Sequence, residues 1–240
     1  MNQPDDVLII GGGVIGLTSA LALLDAGRSV RVLEAKTVGS GSSHGNCGTI
    51  TPSHAAPLAA PGAIIKALRW MLTPDAPFYL KPRLDSALWS WALHFASRCN
   101  ARDWRAAMAA RAAILKESRQ LLPQWIARYG LECEYAEQGV DYVFRDPHAL
   151  EHLAEELPPL AELGIASEVI DGAAYLRDEP ALREGVHGVI RFPGDARLRP
   201  DRYVAQLARA VREAGGVIEE QCQVHGLREE RDRVCAATSR

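Results

Sequence analysis

Gly11, Gly13 and Gly16 form a G-x-G-x-x-G pattern between a short apolar run, Val7 to Ile10, and a segment with apolar residues at helical spacing, Leu17, Ala20, Leu21 and Leu24. Few folds tolerate that arrangement. The first glycine permits a tight turn, the second lets backbone approach a pyrophosphate, and the third allows close helix–strand packing. The helix start then offers free N–H groups and a positive dipole end to phosphate. Gly27 stops the helix, and Ser29 to Ala35 reads as a second strand, so residues 7–35 predict one βαβ unit. Glu34 ends that strand, 18 residues beyond Gly16. A carboxylate there accepts hydrogen bonds from both hydroxyls of an adenosine ribose, whereas a 2′-phosphate would call for a basic residue. NADP is therefore disfavoured, an exclusion that Lys36, two residues on, weakens a little.

Val7 to Leu24 is also 18 residues without a charge, the length of a membrane span. The glycine triplet interrupts it and no basic flank orients it, so a buried strand, turn and helix explain the same residues better. The chain has 240 residues, 48% of them hydrophobic, and a formal net charge of −3. That is the profile of an ordinary globular protein and excludes a disordered chain, a collagen-like repeat or a disulfide scaffold. With 27 Lys and Arg against 30 Asp and Glu, no basic excess points to nucleic acid. The five cysteines are scattered without a C-x-x-C pair, and the acidic start lacks a signal peptide's basic region. Both fit reduced thiols in a cytoplasmic protein.

Beyond the βαβ unit runs a Gly/Ser-rich loop, Val38 to Gly48, then a stretch studded with Pro52, Pro57 and Pro61. Residues 62–72 and about 85–129 predict helices, 139–145 and 186–192 strands, and 147–157 a helix between them. Pro200 opens an amphipathic helix closed by Gly215-Gly216, followed by strands at 217–220, 224–228 and 233–237.

The loop carries a resemblance. Ser43-His44-Gly45-Asn46-Cys47-Gly48, followed by Thr51-Pro52-Ser53 and Ala60-Pro61-Gly62, resembles the FAD-dependent D-amino-acid oxidase superfamily, and within it the bacterial D-amino-acid dehydrogenase small-subunit group. Lys66-Ala67-Leu68-Arg69-Trp70, Pro82-Arg83-Leu84-Asp85, Trp89 and Arg197-Leu198-Arg199-Pro200-Asp201-Arg202-Tyr203 extend it over essentially the whole chain. The fold it implies is α/β: an FAD-binding Rossmann-type domain in two parts, 1–55 and 196–240, with an α+β substrate or cap region inserted at 56–195. Gly11, Gly13, Val14, Ile15 and Gly16 would line the pyrophosphate of FAD. Glu34 would hold the ribose with Lys36 close by. Ser42, Ser43, Asn46 and Gly48 would lead toward the isoalloxazine, and Val224 would meet adenine through its main chain.

The implied reaction is oxidative deamination of a D-amino acid to a 2-oxo acid and ammonia, by hydride transfer to the flavin. Alternatives are a secondary amine substrate (D-proline, hydroxyproline, sarcosine or glycine) and a non-catalytic FAD- or ADP-binding remnant. The electron acceptor is unassigned, with the respiratory chain and peripheral contact at the inner membrane among the implied partners. No catalytic residue is assigned. Members of the superfamily are longer. A strand completing the FAD-side sheet and a segment bearing an arginine for the substrate carboxylate are expected beyond Arg240, so the chain reads as a truncated flavoenzyme with an unpaired sheet edge.

Other patterns compete. His148-Ala-Leu-Glu-His152 has the H-x-x-E-H spacing of a zinc peptidase class, but lies on the solvated face of a helix whose apolar side is Leu150, Leu153 and Leu157. Gly41 to Gly45 matches G-x-S-x-G around Ser43 without the strand and helix a nucleophile elbow needs. Trp89, Trp91, Phe95 and Trp104 read as core packing or a domain interface. His44 and His54 read as polar residues of the flavin-loop region, either of which could approach the substrate, and Arg83, Arg197 and Arg199 as carboxylate-recognition candidates by charge alone.

Overall fold

The computed structural model describes residues 5–73, 80, 83–230 and 233–239. Met1 to Pro4, Pro82 of the Pro82–Asp85 turn, and Arg240 lie outside them. In chain order the elements are β1 (Val7–Ile10), α1 (Val14–Asp25), β2 (Val30–Leu33), β3 (Thr49–Ile50), a single turn Pro52–Ala55, α2 (Ala63–Met71), α3 (Ser86–Arg98) and α4 (Ala101–Tyr129). Then come β4 (Val140–Phe144), α5 (Pro147–Ala154), α6 (Leu157–Glu162), β5 (Glu168–Asp171), α7 (Gly172–Asp178), β6 (Gly188–Phe192) and β7 (Ala196–Arg197). The last are α8 (Pro200–Glu213), β8 (Val217–Glu219), β9 (Val224–Glu230) and β10 (Arg233–Ser239).

These elements form two compact units. The first contains the residues up to Ile50, Leu121–Ala136 and the chain from Arg197 on. Its parallel sheet has the order β1-β2-β8, with Val7 opposite Val30 and Arg31 opposite Val217. Helices α1 and α8 bury their apolar stripes on it, and Leu17, Leu21, Val32, Leu207 and Val211 are fully enclosed. The sequence predicts a first strand buried on both faces. In the structure only Val7 and Ile9 join the core, while Leu8 and Ile10 are exposed, because α1 and α8 cover a single face. β9 and β10 form an antiparallel hairpin.

The second unit comprises Thr51–Gln120 and Glu137–Ala196. Residues 121–136 cluster with the first unit, although the sequence reading runs the inserted region unbroken from 56 to 195. In the second unit's antiparallel sheet the order is β4-β6-β5, and central β6 buries Val189, Ile190 and Phe192 against Met108, Ala112 and Leu160. Periodicity suggests continuous helix over 85–129. The structure breaks it at Cys99-Asn100, where Asn100 Oδ1 accepts from Asp103 N–H and caps α4. Elements α6, β5 and α7 lie outside the sequence reading; β5 is recruited by pairing to β6, with Val169 opposite Ile190.

Candidate functional site

β1 ends at Ile10 and the chain turns through Gly11, whose φ of +106° only glycine adopts without strain. Gly11 N–H donates to Leu33 O across the parallel strands (2.8 Å). Gly16, one turn into α1, packs against this corner: a Cβ there would lie 2.0 Å from Gly11 O. Its identity is therefore fixed by backbone approach. Gly13 is the N-cap of α1 and has no side chain to cap with. Ser43 supplies that cap from a distant loop, its Oγ accepting from Val14 N–H at 3.0 Å.

Glu34 sits at the end of β2 with its carboxylate turned onto the glycine corner. Oε2 accepts from Gly12 N–H (2.7 Å) and Oε1 from Lys36 N–H (2.9 Å). Each oxygen keeps a lone pair for a further donor. The β8–β9 connection closes over the same stretch, with Gln221 N–H donating to Lys36 O and Cys222 N–H to Glu34 O. Val224, half-buried at the start of β9, follows directly.

The loop after β2 is held by its own side chains. Gly39 N–H donates to Gly12 O, fastening the loop to the glycine corner. Asn46 bridges it: Nδ2 donates to Ser42 O (3.0 Å) and Oδ1 accepts from Gly48 N–H (2.8 Å). Gly48 has φ +65°, and a Cβ on it would stand 2.0 Å from Leu198 O. Gly48 O in turn accepts from Leu198 N–H (2.9 Å). The Ser-x-x-Asn-x-Gly spacing is thus a self-clamped loop whose glycine is demanded by the segment that re-enters this unit.

Gly11, Gly13, Val14, Gly16, Glu34, Lys36, Ser42, Ser43, Asn46 and Gly48 are joined by this one continuous hydrogen-bonded and packed surface. Ile15 is 80% exposed at the helix start. Sequence reasoning missed Gly12, whose amide anchors Glu34, and Leu198, whose carbonyl explains Gly48. Only the pairing of residues far apart in sequence reveals them.

The group also fits a dinucleotide. A left-handed corner at Gly11, a helix start behind it and a fixed carboxylate at the tip of β2 are the three features that pyrophosphate and ribose require. On the other side of the loop a cavity of about 470 Å³ is bordered by His44, Asn46, Cys47, Glu134, Arg199 and Asp201.

Two of the arginine candidates are spent in ion pairs. Arg199 forks onto Asp201 (3.0 and 2.8 Å) and lies 3.6 Å from Glu134, and Arg83 pairs with Asp85 at 3.4 Å. The Arg199 fork, through charge-assisted hydrogen bonds, holds the Asp201 carboxyl down at about 2. His148 and His152 face Glu151 and Glu155, and His152 Nε2 lies 3.1 Å from the Lys66 ammonium. Among the described residues no three or more His, Cys, Asp or Glu converge to hold a metal. Trp89 and Trp91 are about half exposed on α3 and do not pack a core, although Trp91 stacks on Phe95. Cys47, Cys99, Cys133 and Cys222 are free thiols. No helix among the described residues is long and apolar enough to cross a membrane.

A D-amino acid dehydrogenase of Granulibacter bethesdensis is 32% identical over 237 residues, covering 97% of this chain and 57% of the relative. One of Methylobacterium nodulans is 35% identical over 211 residues, covering 85% of this chain and 50% of the relative. The chain therefore spans about half the length of the curated relatives it matches. Among solved structures, glycine oxidase from Bacillus cereus superposes with a TM-score of 0.68 at 21% identity, covering 98% of this chain and 51% of that one. L-proline dehydrogenase from P. horikoshii gives 0.65 at 18% identity, covering 100% and 50%. These two likenesses establish the fold alone. The family model for FAD dependent oxidoreductases (DAO) matches residues 6–240. This chain belongs to the DAO family of FAD-dependent oxidoreductases.

Proposed function

We propose that this chain carries the FAD site of an enzyme that oxidises D-amino acids to 2-oxo acids and ammonia. The observation that carries the reading is Glu34, pinned by Gly12 N–H and Lys36 N–H at the tip of β2 with one lone pair left on each oxygen. Two ribose hydroxyls are the donors such a carboxylate suits. Gly11, Gly13, Val14, Ile15 and Gly16 would take the pyrophosphate at the start of α1. The Ser43 hydroxyl, now capping Val14, would turn its hydrogen toward a phosphate oxygen. Ser42, Asn46 and Gly48 would guide the chain of the cofactor onward, and Lys36 and Val224 would flank the adenosine. When bound, the flavin supplies the two-electron acceptor; the protein's part is orientation and exclusion of water.

The D-amino acid is the substrate class that the relatives' names, at 31–35% identity, support. The same names, dehydrogenases, favour transfer of electrons to an acceptor other than oxygen; a respiratory acceptor, met from the cytoplasmic side at the inner membrane, is part of the proposal. The three-part division 1–55, 56–195 and 196–240 is proposed as the domain plan of the full family fold.

The test begins with the visible spectrum of the purified protein and the identity of any released cofactor, followed by dye reduction with a panel of amines. Bound FAD with reduction by D-amino acids is the expected result. Faster reduction by D-proline, sarcosine or glycine would move the substrate class, and retention of FAD with no reduction by any amine would mark a binding remnant. A protein that takes up no FAD from saturating excess would refute the site itself.

A further inference from the structure

Helices α2 and α3 of the second unit each turn an apolar stripe to solvent. On α2 and its C-cap, Ile65, Leu68 and Leu72 follow the i, i+3, i+7 spacing of one helix face and are 58–88% exposed. The inner side, Ile64, Ala67, Trp70 and Met71, is half-buried, and no residue of α2 is fully buried. Lys66 ties this helix to α5, its ammonium 5.0 Å from the Trp70 ring and 3.1 Å from His152 Nε2. α3 repeats the arrangement. Its half-buried side is Leu88, Ala92 and Phe95. Trp89 and Leu93, one turn apart, are more than half exposed, and Leu84, just ahead of the helix, is fully exposed.

The charge around these stripes has one sign. The described residues between 62 and 105 carry six Lys and Arg against two Asp, in a chain of net charge −3. Both aspartates are taken: Asp85 pairs with Arg83 (3.4 Å) and Asp103 with Arg98 (3.2 Å). Among the described residues no carboxylate lies within ion-pair distance of Lys66, Arg69, Arg102 or Arg105, and all four are exposed. A second copy meeting this face about a two-fold axis would set arginine against arginine. A lipid surface fits both features at once. Acyl chains take the apolar stripes, indole rings sit at headgroup depth, and phosphates draw the cations. Helices of 9 and 13 residues are too short to span a bilayer and suit lying in its surface plane.

We propose that α2 and α3 form a docking surface for an anionic lipid bilayer, on which the protein rests without crossing it. Resting on the reading that electrons leave at the inner membrane, this surface is where the protein meets that membrane.

Co-sedimentation of the purified protein with vesicles tests the surface and needs no substrate. One set contains phosphatidylcholine and phosphatidylglycerol in equal parts, the other phosphatidylcholine alone. Binding to the anionic set should be tighter by about tenfold or more and should weaken as salt is raised. Each of Arg69→Gln, Arg102→Gln and Arg105→Gln should weaken it about fivefold. Leu68→Glu combined with Leu72→Glu should weaken it by about tenfold or more. Lipids brominated along the acyl chain should quench tryptophan fluorescence, and Trp89→Phe with Trp91→Phe should remove most of that quenching while binding persists; this readout stands even if the leucine variant does not fold. No binding to either set, equal binding to both, or quenching that survives the tryptophan substitutions overturns the surface. So does a dimer in sizing chromatography that Leu68→Glu dissolves, which would give the face to a second copy. Vesicle binding with no dye reduction by any amine leaves the surface standing and refutes the enzymatic reading. Dye reduction by D-amino acids without vesicle binding refutes the surface and leaves that reading standing.

Discussion

Replacing Gly48 by alanine should damage the first unit more than any other single methyl added to the loop. Two costs combine. The backbone sits at φ +65°, where an L-residue loses about 1–2 kcal/mol. The new Cβ would also stand 2.0 Å from Leu198 O, inside the 3.0 Å that real Cβ atoms essentially never breach. The carbonyl has little room to retreat, because Leu198 N–H is bonded to Gly48 O, Arg199 N–H is bonded to Cys133 O, and the Leu198 side chain is 8% exposed in the core. Overpacking against such a wall costs about 1–3 kcal/mol, for a total of about 2–5 kcal/mol. Two controls separate the costs. Gly27 has φ +74° with nothing within 4 Å of the added Cβ, so Gly27→Ala measures the conformational cost alone. Gly45, in the same loop, has neither a positive φ nor a close neighbour, so Gly45→Ala should stay within about 0.5 kcal/mol of the unsubstituted protein. At about 2–4 °C per kcal/mol for a chain of this size, melting temperatures should fall in the order Gly45→Ala, Gly27→Ala, Gly48→Ala, the last by about 4–20 °C. Retained FAD, read from visible absorbance, should fall in parallel only for Gly48→Ala. If Gly48→Ala melts together with Gly27→Ala, the Leu198 carbonyl yields freely and the close approach is no constraint.

Other perturbations give distinct readouts. Glu34→Gln turns an amide N–H toward either Gly12 N–H or Lys36 N–H, leaving one backbone donor facing another; a loss of about 1–3 kcal/mol in stability and weaker FAD uptake on titration are expected. Ser43→Ala removes the cap that Gly13 cannot provide and should cost about 0.5–2 kcal/mol in denaturant unfolding, with Ser43→Thr restoring most of it. Asp141 accepts both arms of Arg191 (2.8 Å each) and the Tyr175 hydroxyl (2.7 Å), and the Arg191 hydrogen bonds hold its carboxyl below the ordinary value. A depressed carboxyl stabilises the fold above its unfolded pKa of about 3.9, and that contribution is lost as pH falls through the lower folded value. Melting temperature should therefore drop more steeply below pH 4 in the unsubstituted protein than in Asp141→Asn. A parallel fall in both would exclude this pair as a source of acid lability.

What the sequence reveals is what is local. The βαβ unit, Glu34 and helix α8 follow from periods and breakers within about thirty residues, and their positions in the structure differ from expectation by a residue or two. Features set by distant partners are not visible in this way. Ser43 caps a helix 29 positions upstream, and Ser53 meets Asp195 across 142. Gly48 reads as ordinary loop punctuation until Leu198 is placed against it. Strand β5 contains only four residues with an acidic one at each end, and it becomes a strand because β6 offers an edge. The break at Asn100 was in reach: Asn-Ala-Arg-Asp is a capping sequence inside an otherwise apolar helical run.

Glu34 has a consequence for how this lineage can vary. The side chain proposed to select the ribose also holds the amide of Gly12, so on that reading cofactor preference and the shape of the glycine turn are one trait. A substitution that relaxes discrimination at the 2′ position, such as glutamate to serine, also unmoors the glycine corner and must be answered by a second change that re-secures it. Paths to a different dinucleotide therefore cross a less stable intermediate, and drift at this position is constrained even where the choice of nucleotide confers no benefit.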